Sequence, residues 1–360
     1  MHDPATLRSM GESAIVLAEG HFQSGEAKTA HGLVRGPARW RIAGVIDSTC
    51  AGADAGTLLD GRARAIPVFA SLREALARLP ERPQWCVVGV ATHGGRLPDE
   101  LRASLHEAAQ AGLSIANGLH ELVSDDASIA ALVARSGARI VDVRRPRPVR
   151  ELAFWTGAAL KLGLPRVAVI GTDCALGKRT TTQLLVAECR VRGLRAGMVY
   201  TGQTGWLQGT KHGFVLDSTP NDFVSGELER ALLECVREED PQVVFLEGQS
   251  ALRNPSGPCG AELLLSAGAR YAVLQHAPAR RFYDGTEELG CVIPPLSDEI
   301  ELLRHYQAEV LGVALNTEGL APQDARGAAR ALEAELGLPV VLPLEDGVGR
   351  IVERLPLSRA

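Results

Sequence analysis

The 360-residue chain lacks several features that define large classes of protein. Its seven cysteines are odd in number, widely spaced and without a C-x-x-C pair, which argues against a disulfide framework and a structural zinc site. No apolar run approaches the roughly 20 residues that a membrane-spanning helix requires. The first residues lack the basic segment, apolar segment and cleavage site of a secretory signal. We therefore expect a soluble, cytoplasmic protein that does not bind membranes.

The chain also lacks a net positive charge. The formal net charge is −5, and the one dense basic run, RRPRPVR at residues 144–150, contains the prolines typical of a linker. A nucleic-acid partner is therefore not expected. The first half also lacks the G-x-G-x-x-G spacing of dinucleotide-binding loops, which argues against NAD. We expect a small-molecule substrate and a homo-oligomer.

Short apolar segments alternate with helix-like segments along the whole chain. In the first half the apolar segments are residues 14–20, 41–48, 65–70, 85–91, 113–118 and 138–144; in the second half they are residues 166–171, 196–202, 242–248, 270–276, 308–316 and 339–344. Fully apolar short strands between helices predict parallel sheets with both faces covered. The predicted fold is therefore α/β, with two doubly wound parallel-sheet domains.

The length also favours two domains, each able to bury its own core. The alternating prolines before residue 149 disfavour a helix and form an extended connector. We place the boundary there, which gives a Rossmann-like domain at residues 1–148 and a second domain at residues 149–360. A helix over residues 151–162 is expected to open the second domain.

The segment GTDCALGKRTTT, residues 171–182, follows an apolar strand and opens a helix. A phosphate-binding loop needs converging backbone N–H groups, glycines that allow close approach, a lysine and a hydroxyl group. The segment supplies all of these, although it departs from G-x-x-x-x-G-K-[ST]. Five residues separate its glycines, Thr172 stands where the first glycine would be, and Arg179 takes the usual hydroxyl position.

We therefore predict a variant phosphate-binding loop and a second domain that is P-loop NTPase-like. The predicted cofactor-binding residues are Gly171, Thr172, Asp173, Gly177, Lys178, Arg179, Thr180 and Thr181.

Other polar residues follow predicted strands of the second half. Glu247 ends VVFLE, a position suited to holding Mg²⁺ together with Thr180, or to orienting water. Gln203 and Thr204 follow the strand after the loop helix and are substrate-binding candidates, because open α/β sheets bind ligands at the carboxyl ends of strands. Asp222 precedes a helix, as an N-cap or as a substrate-binding carboxylate.

The first half offers a weaker anion site. Lys28, His31 and Arg35 have helical spacing and would share one face, either for an anionic ligand or as a solvated surface. Asp47 stands where a Rossmann domain can hold a ribose, with a purely structural role equally open. Cys174, inside the loop of the second half, has no histidine partner in sequence and is interpreted as a small loop-filling residue.

Several motifs together resemble one known family. They are GTDCALGKRTTTQL, TGQTG, NDFVSGELE, FLEGQSAL and VLQHAPAR in the second half, and AEGHFQSGEAKTAHGLVR, VIDSTCAGADAG and GLHELVSDD in the first. The sequence resembles the D-glutamate N-acetyltransferase family over nearly the whole chain. This resemblance implies a Rossmann-like domain followed by a P-loop domain, and transfer of an acetyl group from acetyl-CoA to an amino acid such as D-glutamate.

The implied chemistry needs an anion site for acetyl-CoA and a general base for the amine. Lys178 in the loop would bind the phosphates of acetyl-CoA. His276, which ends YAVLQH, is the first candidate for the base, with Glu247 as a second and His212 as a weaker third. The predicted catalytic residues are therefore His276, Glu247 and Lys178. The predicted substrate-binding residues are Gln203, Thr204, Asp222, Lys28 and Arg35.

Two alternatives remain open at this point. The loop G-T-D-x-x-x-G-K is similar to that of dethiobiotin synthetase, which implies an ATP- and Mg²⁺-dependent kinase or ligase using Lys178 and Glu247. A nucleotide-responsive binding protein would use the same loop without turnover. The layout of the first half is similar to the CoA-binding domain of succinyl-CoA synthetase, which is a likeness of fold alone.

Overall fold

The structure, a computed structural model, describes residues 11–357. The first ten residues, on which the expectation about a secretory signal depends, lie outside the described residues. Contacts divide the chain into two compact units. Unit 1 contains Met1–Arg147 and Gln203–Gly209, and unit 2 contains Pro148–Gly202 and Thr210–Ala360.

Unit 1 is built on a six-stranded sheet. Its strands are β1 (Ser13–Leu17), β2 (Arg41–Ile46), β3 (Val68–Phe69), β4 (Trp85–Val88), β5 (Ser114–Asn117) and β6 (Ile140–Asp142). They pair in parallel in the order β3-β2-β1-β4-β5-β6, which is the Rossmann order. The apolar runs form the strands because both faces of such a sheet are covered. The predicted Rossmann-like fold is confirmed.

The helices of unit 1 connect its strands, and some of them begin at a capping side chain. They include α1 (Lys28–Arg35), α2 (Ala55–Asp60), α3 (Leu72–Arg78), α4 (Asp99–Gln110) and α5 (Ala127–Ser136). Asp54, Ser71 and Asp126 accept hydrogen bonds from first-turn N–H groups of α2, α3 and α5. Such caps replace the backbone partners that the first turn of a helix lacks.

Unit 2 is built on a seven-stranded parallel sheet. Its strands are β7 (Arg166–Gly171), β8 (Ala196–Tyr200), β9 (His212–Gly213), β10 (Val243–Glu247), β11 (Tyr271–His276), β12 (Glu309–Leu315) and β13 (Val340–Val341). The strand order is β13-β12-β11-β7-β10-β8-β9. The predicted second parallel α/β domain is therefore confirmed, and β9 is a short edge strand that the apolar pattern did not predict.

The later helices of the chain cover this sheet, with one exception. They are α6 (Lys178–Val191), α7 (Gln203–Leu207), α8 (Asn221–Glu239), α9 (Ala261–Leu265), α10 (Leu296–His305), α11 (Pro322–Leu336) and α12 (Gly349–Val352). The exception is α7, which belongs to unit 1. The guanidinium of Arg39 stacks 4.1 Å from the ring centroid of Trp206, and Gln208 donates to the carbonyl of Gly32.

The predicted helix over residues 151–162 is wrong. The structure has two 3-10 turns there, Val149–Glu151 and Ala158–Lys161, separated by extended backbone. Backbone N–H groups of Ala153, Thr156 and Ala159 donate to the carboxylates of Glu227 and Glu229 on α8. Because these external acceptors satisfy the backbone, the segment lies against α8 instead of closing its own helix.

In residues 11–357, no helix has both the length and the apolar character needed to cross a membrane.

Candidate active site

The candidate site of unit 2 lies at the carboxyl edge of three neighbouring strands. β7 ends at the phosphate-loop candidate, β10 ends at Glu247 on one side, and β11 ends at His276 on the other. The backbone pairs Glu247 with Val169 and joins Thr172 to Gln275 by an N–H···O bond of 3.0 Å. Parallel pairing therefore brings Glu247 and His276 to the two flanks of the loop, which is where open α/β sheets bind ligands.

The loop leads directly into α6, a helix of 14 residues. No side chain caps its N-terminus, and the N-cap residue Gly177 has a φ of 96° in the left-handed region that favours glycine. A Cβ at Gly177 would meet no other part of the described structure within 4 Å. The first N–H groups of α6 are thus available to an anion.

Lys178 is the first residue of α6, and its ammonium turns back into the loop. Nζ donates to the carbonyl of Asp173 at 2.6 Å and to that of Ser250 at 2.9 Å. Burial lowers the pKa of Lys178 to about 8, so it is still mostly charged at pH 7. The ammonium keeps one N–H beyond these two bonds, which an anion at the loop can accept.

His276 is joined to the start of the loop. Its Nδ1 lies 3.0 Å from the hydroxyl of Thr172, and burial lowers its pKa to about 4. Its imidazole is therefore neutral at pH 7, but it is a weak proton acceptor. One residue earlier on β11, the side chain of Gln275 accepts from the hydroxyl of Thr181 at 2.6 Å. Thr172 and Thr181 are thus engaged within the protein.

Glu247 is the titratable group of the site with a pKa nearest to neutrality. Burial raises its pKa to about 7, while Arg179 and Lys178 act in the opposite direction. Arg179 Nη1 lies 4.0 Å from Oε1, and Oε2 is buried without a hydrogen-bond partner in the described part of the chain. A buried carboxylate oxygen without a partner is costly, so it marks a position that a ligand can satisfy.

Asp173 was predicted to bind a cofactor, but its carboxylate is hydrogen-bonded within the protein. Its carboxylate has no exposed surface and accepts bonds from the backbone of Cys174 and Asp284 and from the side chains of Asn254 and Arg280. It joins the loops that follow β7, β10 and β11. The carboxylate of Asp173 therefore holds these loops in position, and a contact with a ligand would come from its backbone.

The predicted metal pair consists of Thr180 and Glu247. Thr180 is half-buried in the first turn of α6. Residues 11–357 contain no group of three or more histidine, cysteine, aspartate and glutamate side chains that could hold a metal ion. The guanidinium of Arg179 beside Glu247 is itself a cation and would repel Mg²⁺ at that carboxylate.

Two of the predicted substrate-binding residues belong to unit 1, and a third is exposed on a helix of unit 2. Gln203 accepts from Arg144 and Thr204 shares a hydrogen bond with Thr29, all within unit 1. Asp222 is exposed in the first turn of α8, where Pro220 holds the N-cap position. The alternative of Asp222 as an N-cap is therefore wrong, and its charge complements the helix dipole.

The first-half candidates are on α1 and its surroundings. Lys28 is exposed, His31 contacts the carbonyl of Phe22 at 2.5 Å, and Arg35 lies 3.9 Å from Asp60. Asp47 is fully buried and accepts from backbone N–H groups, a structural role.

Two further candidates are structural in unit 2. His212 is buried on β9 with Nε2 3.2 Å from Glu239, two strands beyond β10. Burial raises the pKa of Cys174 to about 11, which keeps its thiol protonated.

The sequence analysis missed two contributors to the site. Arg280 follows β11 by four residues and donates to Asp173 at 2.8 Å, and Ser250 contributes its carbonyl to Lys178 from a backbone with φ of 43°. Arg280 could have been found, because it is a cation in a loop after a predicted parallel strand. Ser250 acts through its backbone, for which sequence carries no signal.

Family models match both halves of the chain. A P-loop domain model, described as a domain of unknown function, DUF1611_C, matches residues 153–352, which is more than half of the chain. The corresponding Rossmann-like model, DUF1611_N, matches residues 48–146. The chain belongs to the DUF1611 family. This membership agrees with the sheet order of each unit and confirms the predicted pair of domain types.

Proteins with known names or structures are similar over most of the chain. A D-glutamate N-acetyltransferase from Tritonibacter scottomollicae is 31% identical over 278 residues, covering 75% of this chain and 80% of the relative. Another from a Pseudoalteromonas species is 29% identical with the same coverage. The crystal structure of a DUF1611 family protein from Anabaena variabilis matches 96% of this chain and 99% of its own, with 30% identity and a TM-score of 0.86. The predicted family resemblance is confirmed.

Proposed function

We propose that this DUF1611 protein transfers an acetyl group from acetyl-CoA to the amine of an acidic amino acid, with D-glutamate as the first candidate. The names of the relatives support the reaction and the acceptor. The observation that carries the proposal is the buried, unpartnered Oε2 of Glu247 beside an uncapped helix N-terminus. This arrangement offers a proton acceptor next to an anion site.

Glu247 is the general base in this proposal. A base works best when its pKa lies near the working pH, and the pKa of Glu247 is about 7 whereas that of His276 is about 4. His276 therefore changes from the first candidate for the base to a neutral group that contacts Thr172 at the mouth of the loop. Lys178 and the N–H groups of α6 fit an anionic group of the substrates.

The proton balance is simple. Acetyl-CoA supplies the acetyl group as a thioester. Glu247 takes one proton from the substrate ammonium, and the freed amine nitrogen bonds to the acetyl carbon as the carbon–sulfur bond breaks, leaving its electron pair on sulfur. A second proton from nitrogen goes to that sulfur, and Glu247 returns its own proton to water. The overall reaction releases one proton and free CoA.

The test is acetyl transfer by the purified chain. Thiol release from acetyl-CoA and the mass of the N-acetylated product are measured with D-glutamate, L-glutamate and D-aspartate. Glu247→Gln is expected to lower kcat by about 100- to 10,000-fold, the range for loss of a general base. The rise of the wild-type rate through pH 7 is also expected to disappear. Glu335→Gln, at an exposed position of α11, is the matched control.

The same carboxylate also supports the alternative of an ATP- and Mg²⁺-dependent reaction, because the unpartnered Oε2 of Glu247 could act as a metal ligand. A thermal-shift panel with ATP, ADP, CoA and acetyl-CoA, with and without Mg²⁺, separates the two. A ligand at 100 times its Kd adds about 2.7 kcal/mol of stability. Stabilisation by ATP with Mg²⁺, but not by acetyl-CoA, would overturn the acetyltransferase proposal. Stabilisation by nucleotide without turnover would indicate the binding-protein alternative.

A further inference from the structure

Arg280 is held rigidly at the loop by one of its nitrogens. Nη1 donates to Oδ2 of Asp173 and to the carbonyl of Cys174, both at 2.8 Å, and these are the only hydrogen bonds of this side chain within residues 11–357. Within the described part of the chain, Nε and Nη2 donate no hydrogen bond. Because Asp173 is fully buried and itself held by three other donors, the guanidinium is fixed before any ligand arrives.

The unused edge of such a guanidinium is a fork of two N–H donors. A fork of this kind matches the two oxygens of a carboxylate, which accept parallel hydrogen bonds. The side chain of Arg280 retains 22% of its surface, so a solute can reach it, whereas Asp173 retains none. Arg280 and the N-terminus of α6 are both tied to the backbone of the same loop, through Cys174 and Lys178.

The distance between the reacting group and the anionic group of each substrate indicates which substrate places its anion at the loop. If Glu247 takes the proton from the amine, the amine must come within hydrogen-bond distance of Glu247, and the thioester carbon must lie next to that amine. In acetyl-CoA the long pantetheine arm separates the thioester from the diphosphate, so phosphates cannot occupy the position next to Glu247 at the same time. The guanidinium Nη1 of Arg179, the second residue of α6, lies 4.0 Å from Oε1 of Glu247, and the buried ammonium of Lys178, the first residue, also acts on the pKa of Glu247. The anion site at this helix is therefore next to the amine.

We propose that the loop after β7 and Arg280 together bind a carboxylate of the acidic amino acid, and that the phosphates of acetyl-CoA bind elsewhere. This assignment rests on the proposed acetyl transfer. It replaces the expectation that Lys178 binds phosphate of the cofactor, and a helix N-terminus binds a carboxylate by the same physics. Arg280 is then the residue that selects an acidic acceptor.

The test compares Arg280→Lys with Arg253→Lys. Lysine keeps a cation beside Asp173 but loses the fork. Arg253 is the matched control, because it is also an arginine paired at 2.9 Å with a buried carboxylate, that of Glu299. Values of kcat/KM are measured for D-glutamate, for D-glutamine, which lacks the side-chain carboxylate, and for 4-aminobutanoate, which lacks the α-carboxylate.

Arg280→Lys is expected to reduce the preference for D-glutamate over one of the two analogues by about 10- to 100-fold, the loss expected for hydrogen bonds to a charged group. The analogue affected identifies the carboxylate bound. The KM for acetyl-CoA is expected to stay within about twofold, and Arg253→Lys to change neither quantity. An unchanged preference in Arg280→Lys, or a raised KM for acetyl-CoA alone, overturns the assignment while leaving acetyl transfer intact.

A second measurement needs no variant and covers the case in which Arg280→Lys does not fold. D-glutamate is expected to raise the Tm of the unsubstituted protein to the same extent with and without saturating CoA, because the two occupy different positions. If CoA abolishes the D-glutamate shift, the loop binds CoA and the assignment is wrong. If the unsubstituted protein acetylates no amino acid, the proposed function itself fails, and this assignment fails with it.

Discussion

The hydroxyl of Thr172 and Nδ1 of His276 lie 3.0 Å apart and join the first residue after β7 to the last residue of β11. The contact is made by a histidine that burial keeps neutral, with a pKa of about 4. The folded state therefore disfavours protonation of His276, so the stability of the protein depends on pH through this residue.

His276→Asn is expected to remove a dependence of stability on acid. Between pH 6.5 and 4 the unfolded chain binds a proton at His276 that the folded chain does not, so the wild-type protein loses stability as pH falls. From pH 6.5 to 5 the loss is about 2 kcal/mol. Urea unfolding at several pH values should show the wild-type curve falling relative to that of His276→Asn. Parallel curves would contradict the buried neutral imidazole; the exposed His305→Asn is the control.

Glu247→Gln is expected to remove the opposite pH dependence, in which the wild-type protein loses stability as pH rises. The pKa of Glu247 is about 7 in the folded chain against an ordinary value of 4.5, so between these values the folded state binds the extra proton. The wild-type protein thus loses stability as pH rises from 4.5 to 7, by about 3 kcal/mol in total. Above pH 7 the variant should be the more stable of the two. A wild-type advantage there would show that Glu247 is stabilised as an anion.

Asp173→Asn is expected to destabilise the fold strongly. The substitution removes the negative partner of Arg280 and one acceptor for the donors that converge on this buried side chain. Breaking a buried ion pair from one side costs about 3–5 kcal/mol. Asp346→Asn removes half of an exposed pair with Arg326 and should change stability by less than about 1 kcal/mol. Chemical denaturation of both variants compares the two effects, and equal losses would show that Asp173 does not join the loops.

Gly177→Ala is expected to strain the loop without a steric clash. The φ of 96° at Gly177 is unfavourable for any residue with a Cβ, although space for the methyl group is open. The cost is about 1–2 kcal/mol for the left-handed backbone. Gly163→Ala is the matched control, because its surroundings are equally open and its φ is not left-handed. If Gly177→Ala and Gly163→Ala shift the denaturation midpoint by the same amount, the loop can relax around alanine and the expected strain is absent.

Local sequence patterns were sufficient to predict the architecture. Each of the twelve apolar segments contains a strand, because a parallel strand covered on both faces must be apolar along its length. The variant loop between β7 and α6 was recognised for a similar reason, since glycines and a lysine at a strand–helix junction form a local pattern. The segment at residues 151–162 was predicted wrongly, because carboxylates on α8 accept its backbone hydrogen bonds.

The sequence by itself determined two parallel-sheet domains, a loop able to bind an anion, and Glu247 and His276 at strand ends. Only the tertiary structure decided the pKa values of these two side chains, because burial shifts the pKa of each group and burial depends on residues distant in sequence. It also showed that Asp173 connects three loops by hydrogen bonds. Arg280, 107 residues further along the chain than Asp173, is fixed at the loop after β7 by its bond to that carboxylate. Contacts over such a separation leave no local pattern, so they become visible only when the sheet brings its strand ends together.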